Sequence, residues 1–391
     1  MGSSENKILR IAIKPELLHW ARVRAGRTIE SLKMAFPKYE DWEKGKVHPT
    51  LKQLERLARV LRVPLGFLFL DTPPEEPLPI PDFRTMPRGG VSRPSPELLD
   101  TIYSCQQRQE WYRNYLIAMG EAPLPFVGRA DLTADPDAVA AEIRATVKLD
   151  LQERASFSTW TQALNRFIGQ VEQSGILVMV NSIVGNNTHR PLDTEEFRGF
   201  TLIDDLAPLI FINGADTLSA KTFTLAHELA HVWLGEAGVS DARLETFPED
   251  RVERWCNQVA AEVLVPRALL AEKYNAQNEL SQELNRLARI FKVSTLVILR
   301  RLADTEFLHR NTYREIYEKE LERVLAYERL TAEEGGGNFY HSLSRRVSKR
   351  FAQALISSTM EGQTLFRDAF AMLGVSKVET FRKFARELGV G

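Results

Sequence analysis

Thr222-Phe-Thr-Leu-Ala-His-Glu-Leu-Ala-His-Val-Trp-Leu234 contains His227-Glu228-Leu-Ala-His231, the pattern H-E-x-x-H. On a helix, residues i and i+4 project from one face a turn apart. Two imidazoles placed so can fill two corners of a zinc tetrahedron, leaving Glu228 beside the open corner where water binds. The flanking Phe223, Leu225, Ala226, Leu229, Ala230, Val232, Trp233 and Leu234 are apolar, as in a helix buried on every side. Two histidines and a glutamate buried there cost several kcal/mol in all unless they are paired or ligated. The competing reading is a chance match within an amphipathic helix, and a chain with only seven histidines disfavours it.

A catalytic zinc needs a third protein ligand. The spacing H-E-x-x-H-x-x-G-x-x-H is not followed, because Leu234 and Ala237 stand at the glycine and third-histidine positions. A glutamate on a following helix is the other solution, and Arg251-Val-Glu-Arg-Trp-Cys-Asn-Gln-Val-Ala-Ala-Glu-Val-Leu-Val-Pro266 offers one. Glu253 and Asn257 are again i and i+4, with Val252, Val259, Ala260, Val263 and Leu264 around them. Glu253 is the favoured third ligand, and Asn257 the residue that hydrogen-bonds a ligating histidine and fixes its tautomer. Glu236, Asp241, Glu245, Glu249 and Asp250 compete from what reads as a polar loop, Gly235 to Asp250. Glu262 competes from the same helix as Glu253.

Taken together, "TLAHELAHVWLG" from Thr224 and "ERWCNQVAAEVLVP" from Glu253 resemble the ImmA/IrrE family of bacterial and phage metallopeptidases. The family pattern is H-E-x-x-H, then E-x-x-x-N with an Ala-Ala-x-x-Leu-x-Pro tail, and the likeness covers at least Ser174 to Pro266. It implies a zincin-like fold of the gluzincin type and a single zinc. It also implies limited proteolysis of one regulatory protein, a repressor or antitoxin-like substrate, in stress response or in control of phage and mobile elements. Glu228 would then be the general base, with His227, His231 and Glu253 as metal ligands. Manganese is the second candidate metal, since a set of two histidines and a glutamate accepts several divalent ions.

Bulk properties narrow the remaining classes. The chain has 391 residues, 44% apolar and 26% charged, which is ordinary for a soluble protein of two or three domains. A formal net charge of −1 argues against a protein that coats nucleic acid. Cys105 and Cys256 give neither a disulfide framework nor a cysteine-rich zinc site. No apolar run reaches the ~18 residues of a membrane span and no signal-peptide core begins the chain, so a cytoplasmic, non-membrane protein is expected, with room for a homo-oligomer. Met1 to Ser4 resembles an expression scar.

The N-terminal part, residues 8–71, reads as a small helical domain. Pro15 opens a helix from Glu16 to Ala25 that Gly26 ends, and Thr28 caps a second helix to about Phe36. Thr50-x-x-Gln53 is a capping box before Leu51 to Leu61. "PKYEDWEKGKVHPT" between them resembles the Xre-type helix-turn-helix signature. Through Asp71 there are 14 Lys/Arg against 8 Asp/Glu, a balance that suits phosphate contacts. Yet only Pro37 to Asp41 separate Phe36 from Trp42, a few residues short of a turn plus recognition helix. Glu40, Asp41 and Glu43 are acidic where groove-reading residues are wanted, so protein docking competes with DNA binding here.

Residues 72–96 read as a Pro-rich linker of extended character. Residues 97–272 read as the zincin domain, with helices Glu97–Met119, Asp135–Val147 and Ser158–Ser174. Strands Gly175–Val180, Phe200–Asp204 and Pro208–Asn213 follow, the last two joined as a hairpin. Helices, a small sheet and then the metal helix make the fold class α+β. Ile210, Phe211, Ile212 and Asn213 are proposed as a strand against which substrate pairs, the alternative being an interior strand. His189 and Arg190, in the loop Asn186–Pro191, are candidate stabilisers of the transition state. Residues 280–308 read as a helix-turn-helix-like pair. Residues 309–391 read as a helical unit broken at Gly335–Asn338, whose last helix follows a capping box at Ser376 and Glu379. A second functional class is a DNA-binding regulator or antitoxin that uses the zincin fold to bind a partner protein; the intact Glu228 disfavours it.

Overall fold

The computed structural model describes residues 9–82, 94–240, 250–308, 310–331 and 339–390. These form two compact units: 9–79 with 94–100, and 80–82 with the rest from 101.

The first unit is built from α1 (Pro15–Arg24), α2 (Ile29–Lys33), α3 (Tyr39–Glu43), α4 (Leu51–Leu61) and a 3-10 turn at Leu65–Phe69. Leu17, Leu18, Leu32, Tyr39, Trp42, Leu54, Leu57 and Leu61 make its core. The Thr50–Gln53 capping box is formed in both directions. Helix α2 stops at Lys33, short of the expected Phe36. Pro37 disfavours helical backbone at the residue before it, and Phe36 turns inward instead, at 3% exposure.

Helical segments lead into the second unit, and the first of them begins within the residues assigned to the first unit. α5 (Pro96–Met119) is capped by Ser95, whose hydroxyl accepts from the Leu98 amide. α6 (Pro136–Val147), α7 (Leu151–Ser156) and α8 (Trp160–Gln173) follow. The sheet comes next: β1 (Leu177–Asn181), β2 (Gly199–Leu202) and β3 (Leu209–Asn213). Helix α9 (Leu218–Leu234), strand β4 (Gly238–Ser240) and α10 (Arg251–Leu264) complete the central part. α11 (Arg267–Lys273), α12 (Leu280–Phe291), α13 (Thr295–Asp304) and α14 (Arg310–Thr331) lead to α15 (Phe339–Val347), α16 (Lys349–Met360), α17 (Phe366–Leu373) and α18 (Val378–Glu387).

The sheet order is β1-β3-β2-β4. β3 runs parallel to β1 and antiparallel to β2, and β2 runs antiparallel to β4. All five residues of β3 are buried, as a strand covered on both faces requires. Alternate side chains divide between two layers. Ile210 and Ile212 enter the core shared with α8, α9 and α10. Phe211 stacks on Phe200 at 4.9 Å. Its partner Met179 meets Cys105 of α5 on that same side.

The interior place of β3 corrects one expectation. Ile210, Phe211 and Ile212 pair on both sides, and Asn213 pairs with Asn181 on one side while its amide donates to the Arg198 carbonyl on the other, so they have no free edge for a substrate. A second correction concerns the loop expected from Gly235 to Asp250, which begins with a buried strand, β4. Three residues are too few to show period-two alternation. A third concerns the last helix: α18 starts at Val378 with Lys377 as N-cap and no side-chain cap bond, so the Ser376–Glu379 box is not formed. The core that includes α9 and α10 continues through Leu284, Leu287, Phe291, Val297, Ile298 and Leu302, so α12 and α13 pack as part of the second unit. The expected break at Gly335–Asn338 has only a part of its surroundings among the described residues and itself lies outside them, as do Met1 to Ser4.

Candidate metal centre

Helix α9 begins at Thr217, whose hydroxyl accepts from the Ala220 amide, and ends at Gly235 in left-handed backbone. That glycine is needed for space as well as for its φ of +73°: a Cβ would lie 2.9 Å from Cα of Gly128. The Gly128 and Ala130 amides donate to the carbonyls of Val232 and Trp233, and Phe126 stacks on Trp233 at 4.6 Å. Thr222 through Trp233 are buried without a break. Helix α10 begins at Asp250, which accepts from the amides of Val252 and Glu253, and lies against α9 and α6.

The two helices bring three donors together. His231 Nε2 lies 3.1 Å from His227 Nε2 and 3.2 Å from Glu253 Oε1, and His227 Nε2 lies 3.3 Å from Glu253 Oε2. Ligands about 2.0–2.1 Å from a tetrahedral zinc are themselves about 3.3 Å apart, so the triangle already has the size of a metal site. The chemistry agrees. Two ring nitrogens 3.1 Å apart cannot both carry a proton, and a shared cation satisfies both lone pairs and the carboxylate at once. The exposures are 0%, 0% and 2%, so water cannot supply the missing partners. Among the described residues this is the group able to hold a metal.

Asn257, one turn beyond Glu253, places Oδ1 3.0 Å from His227 Nδ1. An amide oxygen can only accept, so Nδ1 carries the hydrogen and Nε2 is left with its lone pair toward the triangle. Glu253 is held well below the usual carboxylate range, at about 2: burial pushes it up, but His227 and His231 outweigh burial. His227 moves the opposite way. Burial would lower it, and the Glu253 carboxylate, with Glu228 and Asn257, raises it.

Glu228 is also fully buried but faces the sheet. Thr201 Oγ1 of β2 donates to its Oε2 at 2.6 Å, and Ser240 Oγ of β4 donates to its Oε1. Burial pushes this carboxyl above its ordinary range, while His231, His227, Ser240 and Thr201 pull against the rise. Gly199 makes the room: a Cβ there would sit 2.6 Å from Thr224 Cγ2 and 2.8 Å from Glu228 Oε1. Gly199, Thr201 and Ser240 went unread in the sequence. The available signals were a glycine at a strand start and a threonine within apolar neighbours.

The competing ligands resolve differently. Glu262 is paired with Arg301 and accepts from the Arg267 amide. Asp250 is spent on capping α10, and Glu236 is exposed. Asp241, Glu245 and Glu249 lie outside the described residues. His189 is exposed, in a loop after β1, at the sheet border opposite β4. That loop is tied to the C-terminal helices, since Asn186 donates to the Gly374 carbonyl and accepts from Arg346. Nothing in these bonds carries His189 or Arg190 toward the metal group.

Residues 171–303 match the family model described as IrrE N-terminal-like domain. Residues 347–387 match one described as a domain of unknown function. No curated protein matches the chain. The first match encloses the three donors, Glu228, Asn257 and both hydroxyls, and it supports a metallopeptidase of the ImmA/IrrE type for this part of the chain. No helix among the described residues is long and apolar enough to cross a membrane.

Proposed function

We propose that the protein is a zinc-dependent endopeptidase with a zincin-like catalytic domain. It would make a limited cut in one regulatory protein of the repressor or antitoxin-like kind. The observation that carries this reading is the division of α9 between two polar tasks. His227 and His231 meet Glu253, while Glu228 stands one residue round the helix, buried and hydrogen-bonded from β2 and β4. A divalent zinc held by His227, His231 and Glu253 would supply a Lewis acid that acidifies water and polarises a peptide carbonyl. Glu228 takes the proton of the attacking water and passes it to the leaving amine. Thr201 and Ser240 keep the carboxylate oriented between the two transfers.

We assign the first unit an Xre-like fold that serves for docking a protein more readily than for reading bases. Its α3 has five residues. Glu40 is paired with Lys33 and Lys44, and Glu43 with Arg22 and His19, so these carboxylates are committed within the unit.

The test combines metal content with cleavage of a partner protein recovered from cells. Wild type should bind about one zinc, His231→Ala should lose it, and Glu228→Gln should keep it while losing turnover by about three orders of magnitude or more. Cleavage retained by zinc-loaded Glu228→Gln would refute the assignment. A salt-dependent gel shift with an operator, unchanged by Glu228→Gln and unaccompanied by proteolysis, would favour the regulator reading.

A further inference from the structure

The first unit holds a cavity of about 490 Å³ between the turn after α2 and the first turn of α4, a size that takes a small molecule. Its walls are of two kinds. Ala35, Phe36, Pro37 and Trp42 are apolar, while every charged residue of the lining is a cation: Lys38, Lys52 and Arg56. Among the described residues none of these three has an ion pair or a side-chain hydrogen bond. Arg56 rests its guanidinium 5.2 Å from the Phe36 ring centroid. The acids nearby lie apart: Glu40 and Glu43 line a different cavity, beside Trp20 and Val23, and both are already paired. Thr50 and Gln53 bring the positive end of the α4 dipole to the wall. Trp42 adds an independent sign. It is 2% exposed, and its Nε1–H meets no acceptor among the described residues, which is rare for a buried donor.

We propose that this cavity binds a small phosphate monoester carried on a flat apolar group. A monoester holds about −1.5 to −2 charges near pH 7, which suits three cations gathered without a carboxylate. Its three terminal oxygens accept from ammonium, guanidinium and indole donors together. The apolar group of the ester packs on the Phe36, Pro37 and Trp42 side, where water is poorly held. A backbone phosphate of duplex DNA matches less well. It is a diester with a single charge, it lies on the outside of a rod, and it has no use for an apolar wall or a buried indole. The site belongs to the first unit alone and stands whether or not the second unit is a peptidase.

The experiment titrates the full-length protein with phenyl phosphate, inorganic phosphate and a DNA duplex, followed by the indole N–H resonance of Trp42. Loss of that resonance in Trp42→Phe identifies it among the six tryptophans. Phenyl phosphate should shift it and bind about tenfold or more tighter than inorganic phosphate, the factor that burial of a ring provides. Lys52 and Arg56 are exposed, so Lys52→Ala with Arg56→Ala should keep the fold, read as an unchanged melting temperature. It should weaken phenyl phosphate about tenfold or more, as loss of charge-assisted hydrogen bonds does. Lys46→Ala with Arg59→Ala removes the same charge outside the lining and should leave the affinity unchanged. Failure of phenyl phosphate to bind, an affinity equal to that of inorganic phosphate, or equal weakening by both double variants would overturn the site. Duplex DNA that binds through Lys52 and Arg56 where phenyl phosphate does not would also overturn it and assign these cations to backbone contact.

Discussion

Replacing Gly199 by alanine puts one methyl group where the structure has no space. The new Cβ would lie 2.6 Å from Thr224 Cγ2, 2.8 Å from Glu228 Oε1 and 3.0 Å from the Phe211 carbonyl oxygen. The last of these belongs to the backbone of an interior strand and cannot rotate away. The first sits on a helix buried all round. Glu228 is the neighbour with the most freedom, yet moving it breaks its bonds to Thr201 and Ser240. Overpacking of this kind costs about 1–3 kcal/mol. In a domain of this size the melting temperature should fall by roughly 2–4 °C for each of those kcal/mol. Turnover should fall with it, while zinc content stays near wild type, because none of His227, His231 and Glu253 is among the atoms the new Cβ meets. Gly169 in α8 is the control: nothing lies within 4 Å of a Cβ there, and Gly169→Ala should stabilise by about 0.5–1 kcal/mol through helix propensity. Differential scanning calorimetry with metal analysis checks both. A Gly199→Ala protein that melts with wild type and cleaves at the same rate would refute the placement of Glu228 against the sheet.

Asn257→Ala should weaken zinc binding about 10- to 100-fold, as loss of a partner that orients a ligating imidazole does. Competition with a chromogenic chelator measures it, and unchanged affinity would remove Asn257 from the site. In the first unit, burial raises Glu43 but its bonds to Arg22, His19 and Tyr39 win, holding it at about 2 against an ordinary 4.5. A depressed carboxyl contributes stability above its unfolded value that is lost as pH falls toward its folded one. Wild type should therefore exceed Arg22→Ala in stability by a constant margin above about pH 4.5 that vanishes toward about pH 2. Denaturation series across that window read the margin, and a pH-independent difference would contradict the pairing.

The meeting of His227, His231 and Glu253 was legible because its determinants are local. His227 and His231 share a helix, and so do Glu253 and Asn257, each pair at i and i+4, and the apolar flanks announce that both helices are buried. Their meeting needed only one helix packed on another. The substrate strand was misread because its status is not local. Leu209–Asn213 would look the same at a border or in the middle of a sheet, and only the pairing with β1 and β2 decides which. β4 was invisible for a related reason: Gly238, Val239 and Ser240 carry no pattern, and their burial comes from β2 beside them. Glu228 was identified by its place in H-E-x-x-H, but the hydroxyls that hold it lie 27 and 12 residues away with no periodic relation to it.

The burial of α9 explains why the site has this composition. A helix enclosed on all sides exposes no residue to water, so each polar group in it must be satisfied by a neighbouring element or destabilise the fold. Successive residues point about 100° apart, and His227 and Glu228 hydrogen-bond to different elements. The histidines turn to α10, which answers with a carboxylate and an amide. Glu228 turns to the sheet, which answers with two hydroxyls, groups that hold a carboxylate without neutralising it. A lysine or arginine in place of Thr201 or Ser240 would pair Glu228 more strongly and lower its proton affinity. Hydroxyl donors fix the direction of the carboxylate and leave burial to raise its affinity for a proton. The arrangement that makes α9 tolerable in a core thus also fixes the direction of the Glu228 carboxylate.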